Sequence, residues 1–253
     1  MRIASPELIR DLISKGERIS SRKLLEYRKI TSDVNKIKKA NGSCYLSIGE
    51  TKVIVGVKFG LMEPYSDTPD EGGLVVSVNY TPIVWKDMPS NADIEISRVL
   101  DRSIRESKML DLKEFCISPG NQSFQIFIDC YVLSYDGNLL DALNLAAVKA
   151  LMNTNMPILK EGKITNSDKK INIKTVPVIV TISKINDKYL VDLDRLEEES
   201  ADFSVSISYL NENTICAMQK TGIEGIGMKE ISKIFEIGAE KQKELRMILE
   251  VKN

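Results

Sequence analysis

The chain has 253 residues, 43% of them hydrophobic and 28% charged, enough for one large α+β domain or two small ones joined tightly. Its 35 lysines and arginines balance 36 aspartates and glutamates, so no global basic field marks a nucleic-acid binder; contact with RNA needs local positive charge or a partner's. Histidine is absent, which excludes Ser-His and Cys-His catalysis, histidine general bases and histidine-containing metal sites.

Cys44, Cys116, Cys130 and Cys216 are far apart and form no C-x-x-C pair, so they are expected to be buried free thiols. The opening M-R-I-A-S-P-E-L lacks the apolar run of a signal peptide, and no stretch is long enough to cross a bilayer. The expectation is a soluble cytoplasmic protein with no membrane partner.

In chain order, Pro6 to Lys15 suits a leading helix, and Asn41-Gly42 marks a turn. C-Y-L-S-I and K-V-I-V-G-V-K-F read as two strands around Gly49-Glu50, where glycine supplies the positive φ of a tight hairpin. E-P-Y-S-D-T-P-D-E-G-G is a loop by composition, and L-V-V-S-V-N-Y returns to strand. From about Ile94 to Lys108, Ile96, Val99, Leu100 and Ile104 share one helical face, with Asp93 or Asn91 as the expected cap. F-Q-I-F-I-D-C-Y-V-L is a strand, Leu139 to Met152 an Ala/Leu-rich helix closed by Met156-Pro157, and I-T-N-S-D-K-K a polar connector. Strands follow near Val176 to Ser183 and Tyr189 to Asp192, then a hairpin from Phe203 to Gln219 turning at Asn211-Glu212-Asn213. Met228 to Lys252 is the last helix, with Ile231, Ile234, Phe235, Gly238, Leu245 and Ile248 inward. This order predicts an α+β fold of mixed sheets covered by helices, and no phosphate-binding glycine loop is present.

Several stretches resemble the RNase PH family. K-A-N-G-S-C-Y-L-S-I-G-E-T-K-V-I-V-G-V-K is similar to its opening motif, and I-D-C-Y-V-L-S-Y-D-G-N-L-L-D-A-L-N-L-A-A-V-K-A-L to its central strand, D-G turn and small-residue helix. L-L-E-Y-R, E-I-S-R-V-L-D-R-S-I-R-E-S and L-V-D-L-D-R-L-E-E-E-S-A-D resemble the non-catalytic ring subunit of the archaeal exosome. The match runs from about Ile19 to Arg246, and order and spacing together carry it. The resemblance implies an RNase PH-like fold (ribosomal protein S5 domain 2-like) with two βαβα-type halves, about 30–165 and 175–250, packed as a single domain over 1–253. It also implies a hexameric ring of three heterodimers with a catalytic RNase PH-like partner, a trimeric RNA-binding cap, and single-stranded RNA as the polymer. The partner's active site uses inorganic phosphate; this chain is expected to carry no cofactor and no metal, and the sequence leaves a need for magnesium open.

Active members of the family carry G-T-R after the D-G turn, at a helix N-terminus that favours an anion. The corresponding residues here are Gly137-Asn138-Leu139, and a leucine can neither neutralise nor hydrogen-bond phosphate. The phosphate site is therefore expected to be degenerate and the chain to have no catalytic residues. Asp202 in S-A-D-F-S-V-S resembles the region of the family's catalytic aspartate, as a candidate remnant; the preferred reading is that it starts the Phe203 strand and caps a turn, because an acid without its phosphate clamp is not a site. Asp192, Asp194, Glu197, Glu198 and Glu199 meet no metal-ligand spacing and are expected to form a solvated acidic loop.

Arg98, Arg102 and Arg105 recur at i, i+4 and i+7, on one face of the first long helix. Glu95–Arg98, Asp101–Arg105 and Arg102–Glu106 are in range to pair within the helix. The resemblance implies instead that arginines of this helix line the RNA path beside the partner's active site. Lys36, Lys38, Lys39 and Lys52 read as a solvated face, and Trp85 as an interface or core residue that could also stack on a base. Together these features point to a silent, RNA-binding ring subunit that supports 3′-to-5′ phosphorolysis by its partner. An active phosphate-dependent exoribonuclease and an assembly scaffold without RNA contact are the alternatives.

Overall fold

Apolar alternation and turn chemistry divide the chain into two sheets with helices between and around them. The computed structural model describes residues 5–86, 88 and 91–250. Helix α1, Pro6–Ser14, starts on Ser5, whose hydroxyl accepts the Leu8 N–H at 3.4 Å. The first sheet is built from β1 (Ile30–Val34), β2 (Gly42–Ile48), β3 (Thr51–Met62), β4 (Gly73–Tyr80), β5 (Cys116–Ser118) and β6 (Gln122–Ser134). Its order is β1-β2-β3-β6-β4, with β5 on β6. The β2–β3 hairpin turns at Gly49, at φ 56°. Among the described residues only the β4–β6 pair is parallel, because the connection between them crosses over through α2 (Pro82–Trp85) and α3 (Ala92–Glu106).

The second sheet is antiparallel, β10-β9-β11-β12, from β9 (Val178–Ile185), β10 (Lys188–Val191), β11 (Phe203–Asn211) and β12 (Thr214–Thr221). Helix α4, Leu139–Met152, packs on β2 and β3 of the first sheet and on β9 of the second. A helix covered on all sides must be apolar all round, which is why L-L-D-A-L-N-L-A-A-V-K-A-L-M lacks a polar face. Helix α3 packs on β4 and β12, bridging both sheets, and α6 (Met228–Glu250) lies on β9 and β11. One apolar core runs through both halves; a smaller one joins Ile9 and Ile13 to Ile185, Leu190 and Leu193.

Four expectations change. Helix α3 begins at Ala92, and Asn91 stands before it at φ 64° without a side-chain cap bond, because a left-handed N-cap cannot aim its oxygen at the first turn. Met156-Pro157 and the polar connector form a hairpin, β7 (Asn155–Lys160) with β8 (Lys163–Lys170). It turns at Glu161-Gly162, both at positive φ, a two-residue signal that the polar composition of β8 masks. Trp85 is 62% exposed rather than a core residue, with its ring edge-on to Tyr80 at 6.1 Å. Cys44 and Cys130 are buried free thiols, whereas Cys116 and Cys216 are half-buried. Residues 251 and 252 of the expected last helix lie outside the described residues.

Three polar side chains are buried on α4, and each is matched. Lys149 donates to Ser32 Oγ at 2.6 Å. Asn144 accepts the Ile179 N–H at 2.9 Å and donates to Ser103 Oγ at 3.3 Å. Asp141 accepts Tyr27 O–H at 3.0 Å, Thr181 O–H at 2.7 Å and Thr181 N–H at 3.2 Å. Burial pushes the Asp141 carboxyl up to about 7, against the pull of the Thr181 and Tyr27 hydrogen bonds. The folded chain thus holds a proton that the unfolded chain sheds near pH 4. The stability from this group is fully present below about pH 4 and is lost as pH rises through about 7. Asp141→Asn is expected to abolish that slope. Urea midpoints from pH 5 to 8 should show the variant gaining on the wild type by up to about 1.4 kcal/mol per pH unit, the limit for one proton. A difference constant with pH would mean that Asp141 stays ionised throughout.

Candidate functional site

The chain leaves β6 and enters α4 through Tyr135-Asp136-Gly137-Asn138-Leu139. Gly137 has φ 77°, and a Cβ there would lie 2.3 Å from the Leu193 carbonyl oxygen, so the turn requires glycine. Asn138 follows at φ 54°. Thr51 Oγ1 accepts the Asp136 N–H at 2.9 Å and donates to the Gly137 carbonyl at 2.6 Å. Arg28 donates to the Asp136 carbonyl at 2.5 Å and to the Asp136 carboxylate at 3.0 Å.

Asp192, 1% exposed, fastens this turn to the rest of the chain. Its carboxylate accepts the Arg28 N–H at 2.7 Å, Arg28 Nε at 2.9 Å and Nη2 at 2.7 Å, Arg22 Nη1 at 2.9 Å, and Asn138 Nδ2 at 2.9 Å. Burial alone would raise its pKa, but the Arg28 hydrogen bonds and charge outweigh burial and hold it below the usual aspartate value. Glu197, also buried, pairs with Arg18 at Nε, 2.7 Å, and its other oxygen accepts the Asp194 N–H at 2.9 Å. The expected solvated acidic loop is therefore corrected for these residues. Arginines from the first thirty positions enter the interior and neutralise Asp192 and Glu197. The same segment forms a one-turn helix, α5 (Arg195–Glu199), with an Asp194/Glu197 capping box. The D-x-x-E spacing is the local signal that could have found it. Among the described residues, no group of three or more acids and cysteines is placed to hold a metal ion.

A cleft of about 340 Å³ opens beside the turn, between α3, the start of α4, α5 and the second sheet. Leu139 lines it, 5% exposed. Among the described residues no lysine or arginine lines this cleft; its charged side chains are Glu95 and Glu198. Thr181, Ser204 and Ser206 add hydroxyls. Glu198 accepts the Asn138 N–H at 2.7 Å and also the Tyr135 O–H. Burial raises its pKa, partly offset by the Tyr135 and Asn138 hydrogen bonds. Asp202 is elsewhere: it pairs with Arg10 of α1 and accepts the Asn186 N–H at 2.7 Å, at the turn between β9 and β10. The structure brings Gly137, Asn138 and Leu139 together with Glu198, not with Asp202.

The α3 arginines lie away from the cleft. Glu95, Ile96 and Val99 face it, whereas Arg98 and Arg102 lie beside Val75 and Val76 of β4. Neither has an ion pair or hydrogen bond among the described residues. Arg105 is held by Asp101 at 2.7 and 3.0 Å and by the Leu74 carbonyl at 3.0 Å, so the three differ in freedom. Of the lysine group, Lys36 pairs with Asp33 and Lys52 with Glu50.

Two descriptions of the 3′ exoribonuclease family match this chain: domain 1 over residues 26–157 and domain 2 over 175–241. The chain is 41% identical to exosome complex component Rrp42 of Sulfurisphaera tokodaii, over 89% of this chain and 86% of the relative. It is 38% identical to the component of the same name from Thermoplasma acidophilum, over 91% and 89%. Its structure is similar to a chain of an archaeal exosome core, with TM-score 0.87, 36% identity and coverage of 97% and 98%. It is likewise similar to a chain of the Archaeoglobus fulgidus exosome with RNA bound to the active site, with TM-score 0.88, 34% identity and coverage of 97% of each chain. No helix among the described residues is long and apolar enough to cross a membrane.

The buried pairs make a stability prediction. Arg18→Met leaves the Glu197 charge in the interior without its partner and should cost about 3–5 kcal/mol in urea unfolding at neutral pH. Arg18→Met/Glu197→Gln, which removes that charge and keeps an acceptor for the Asp194 N–H, should recover roughly half of the loss. Equal losses in the single and double variants would contradict this account.

Proposed function

The chain belongs to the RNase PH family of 3′ exoribonucleases, and on that premise we propose that it is the non-catalytic, RNA-binding subunit of an exosome ring. The observation that carries this reading is the cleft beside Gly137-Asn138-Leu139, which no cation lines among the described residues. Phosphorolysis needs a cationic clamp on the attacking phosphate and donors for the charge that develops on the phosphoryl oxygens. Loss of one such preorganised donor costs on the order of 100- to 1000-fold in rate. The cleft offers carboxylates where the clamp belongs. The acids that face it, Glu95 and Glu198, repel a phosphate rather than clamp it.

The activity then resides in a catalytic RNase PH-like partner, which binds inorganic phosphate and releases nucleoside diphosphates from the 3′ end of single-stranded RNA. Three such heterodimers make the ring, a trimeric cap delivers RNA, and the assembly works in the cytoplasm. This chain helps to shape the partner's site and contributes Arg98 and Arg102, unpaired among the described residues, to RNA phosphates. Arg105, tied to Asp101 and the Leu74 carbonyl, contributes less. Supporting this, the chain matches over 97% of its length a chain of the Archaeoglobus fulgidus exosome, an assembly solved with RNA bound to the active site.

The test compares nucleoside diphosphate release from single-stranded RNA by the chain alone, by the chain with its partner, and by the ring carrying Arg98→Glu/Arg102→Glu. The chain alone should be inactive and the wild-type ring active. The double charge reversal should weaken RNA binding about tenfold or more and make the salt dependence shallower by about 0.7 for each phosphate no longer neutralised. Robust release by the chain alone would establish it as the enzyme. Unchanged RNA affinity and salt dependence in the variant ring would leave it a scaffold that does not touch RNA.

A further inference from the structure

Leu139 explains why the cleft cannot attract phosphate, but a second feature bears on what occupies it. Gly137 and Asn138 lie consecutively at positive φ, 77° and 54°, a conformation that turns successive backbone N–H groups to a common side. They lead into the N-terminus of α4, a helix of 14 residues whose dipole favours negative charge there. An anion already sits at this place. Glu198 accepts the Asn138 N–H at 2.7 Å with one carboxylate oxygen and the Tyr135 O–H with the other. It lies on α5, whose Asp194/Glu197 capping box fixes the turn that carries it. No lysine or arginine forms an ion pair with Glu198 among the described residues. Against burial, the Tyr135 and Asn138 hydrogen bonds and the nearby charge of Arg28 favour its ionised form.

We propose that Glu198 is the resident anion of this turn, filling the place of a phosphate, so that the cleft is closed to anions twice: by Leu139 and by Glu198. The inference rests on reading the cleft as a degenerate phosphate site, and it goes further. Restoring the arginine alone does not restore phosphate binding, because a guanidinium at position 139 finds the Glu198 carboxylate as an internal partner. A charge-assisted pair within one folded chain forms ahead of a dilute phosphate.

The experiment titrates inorganic phosphate into the full chain by calorimetry, for wild type, L139R, L139R/E198Q and L139R/E198A. Wild type and L139R should bind phosphate weakly. Both double variants should bind at least about tenfold more tightly than L139R, equivalent to about 1.4 kcal/mol. E198A removes the group and its charge. E198Q removes the charge while keeping an acceptor for the Asn138 N–H, so it carries the test if the alanine variant does not fold. L139R binding as tightly as the double variants would overturn the role of Glu198, as would folded double variants that bind no better than L139R. Neither result touches the silent-subunit reading, which is decided by RNA phosphorolysis with the wild-type chain.

Discussion

The structure around the site depends on a buried carboxylate that cannot stand alone. Asp192 is 1% exposed, and an ionised aspartate so placed is tolerated only when donors replace its water. Those donors come from Arg22 and Arg28 near the start of the chain and from Asn138 at the head of α4. One side chain thereby joins the N-terminal segment, the turn between β6 and α4, and the end of β10. Arg28 extends the link to Asp136, and Thr51 reaches the same turn from the β2–β3 hairpin. The segment from Arg18 to Arg28 has little regular structure, and its arginines are what anchor it. They serve an internal charge network, while among the described residues no cation lines the cleft a few residues away.

Helix α3 separates two chemistries. Its 3.6-residue period sends Glu95, Ile96 and Val99 toward the cleft and Arg98 and Arg102 to another side, beside β4. The intervening face, with Leu100, Ser103 and Ile104, is buried. A side that carries Glu95 and a side that carries Arg98 and Arg102 therefore share one rigid element. The spacing of Arg98 and Arg102 is fixed by the helix that carries them.

Local windows of sequence carried much of the fold. The periodic faces of α3 and α6, the Ala/Leu run of α4, and the alternation in β2, β3 and β11 are each visible within about ten to fifteen residues. The D-G turn before α4 was equally readable, because it rests on residue identity. The fate of the acids was not. D-L-D-R-L-E-E-E has the composition of a solvated loop, and its burial depends on arginines far earlier in the chain, such as Arg18 against Glu197. Glu198 and Asp202 show the same limit. They are near neighbours in sequence, yet the one-turn helix and the start of β11 send one into the cleft and the other toward Arg10. The β7–β8 hairpin escaped because its second strand is mostly exposed and polar, so no apolar alternation marks it.

Asp192 makes three distant segments a single structural unit, and the rest of the site follows from that union. Hydrogen–deuterium exchange on Asp192→Asn, compared with wild type, addresses it directly. Residues 18–28, 136–140 and 190–198 are expected to lose protection together, while α6 and the β11–β12 hairpin keep theirs. Loss of protection confined to the neighbours of position 192, with the Gly137 turn and the N-terminal segment unchanged, would contradict it.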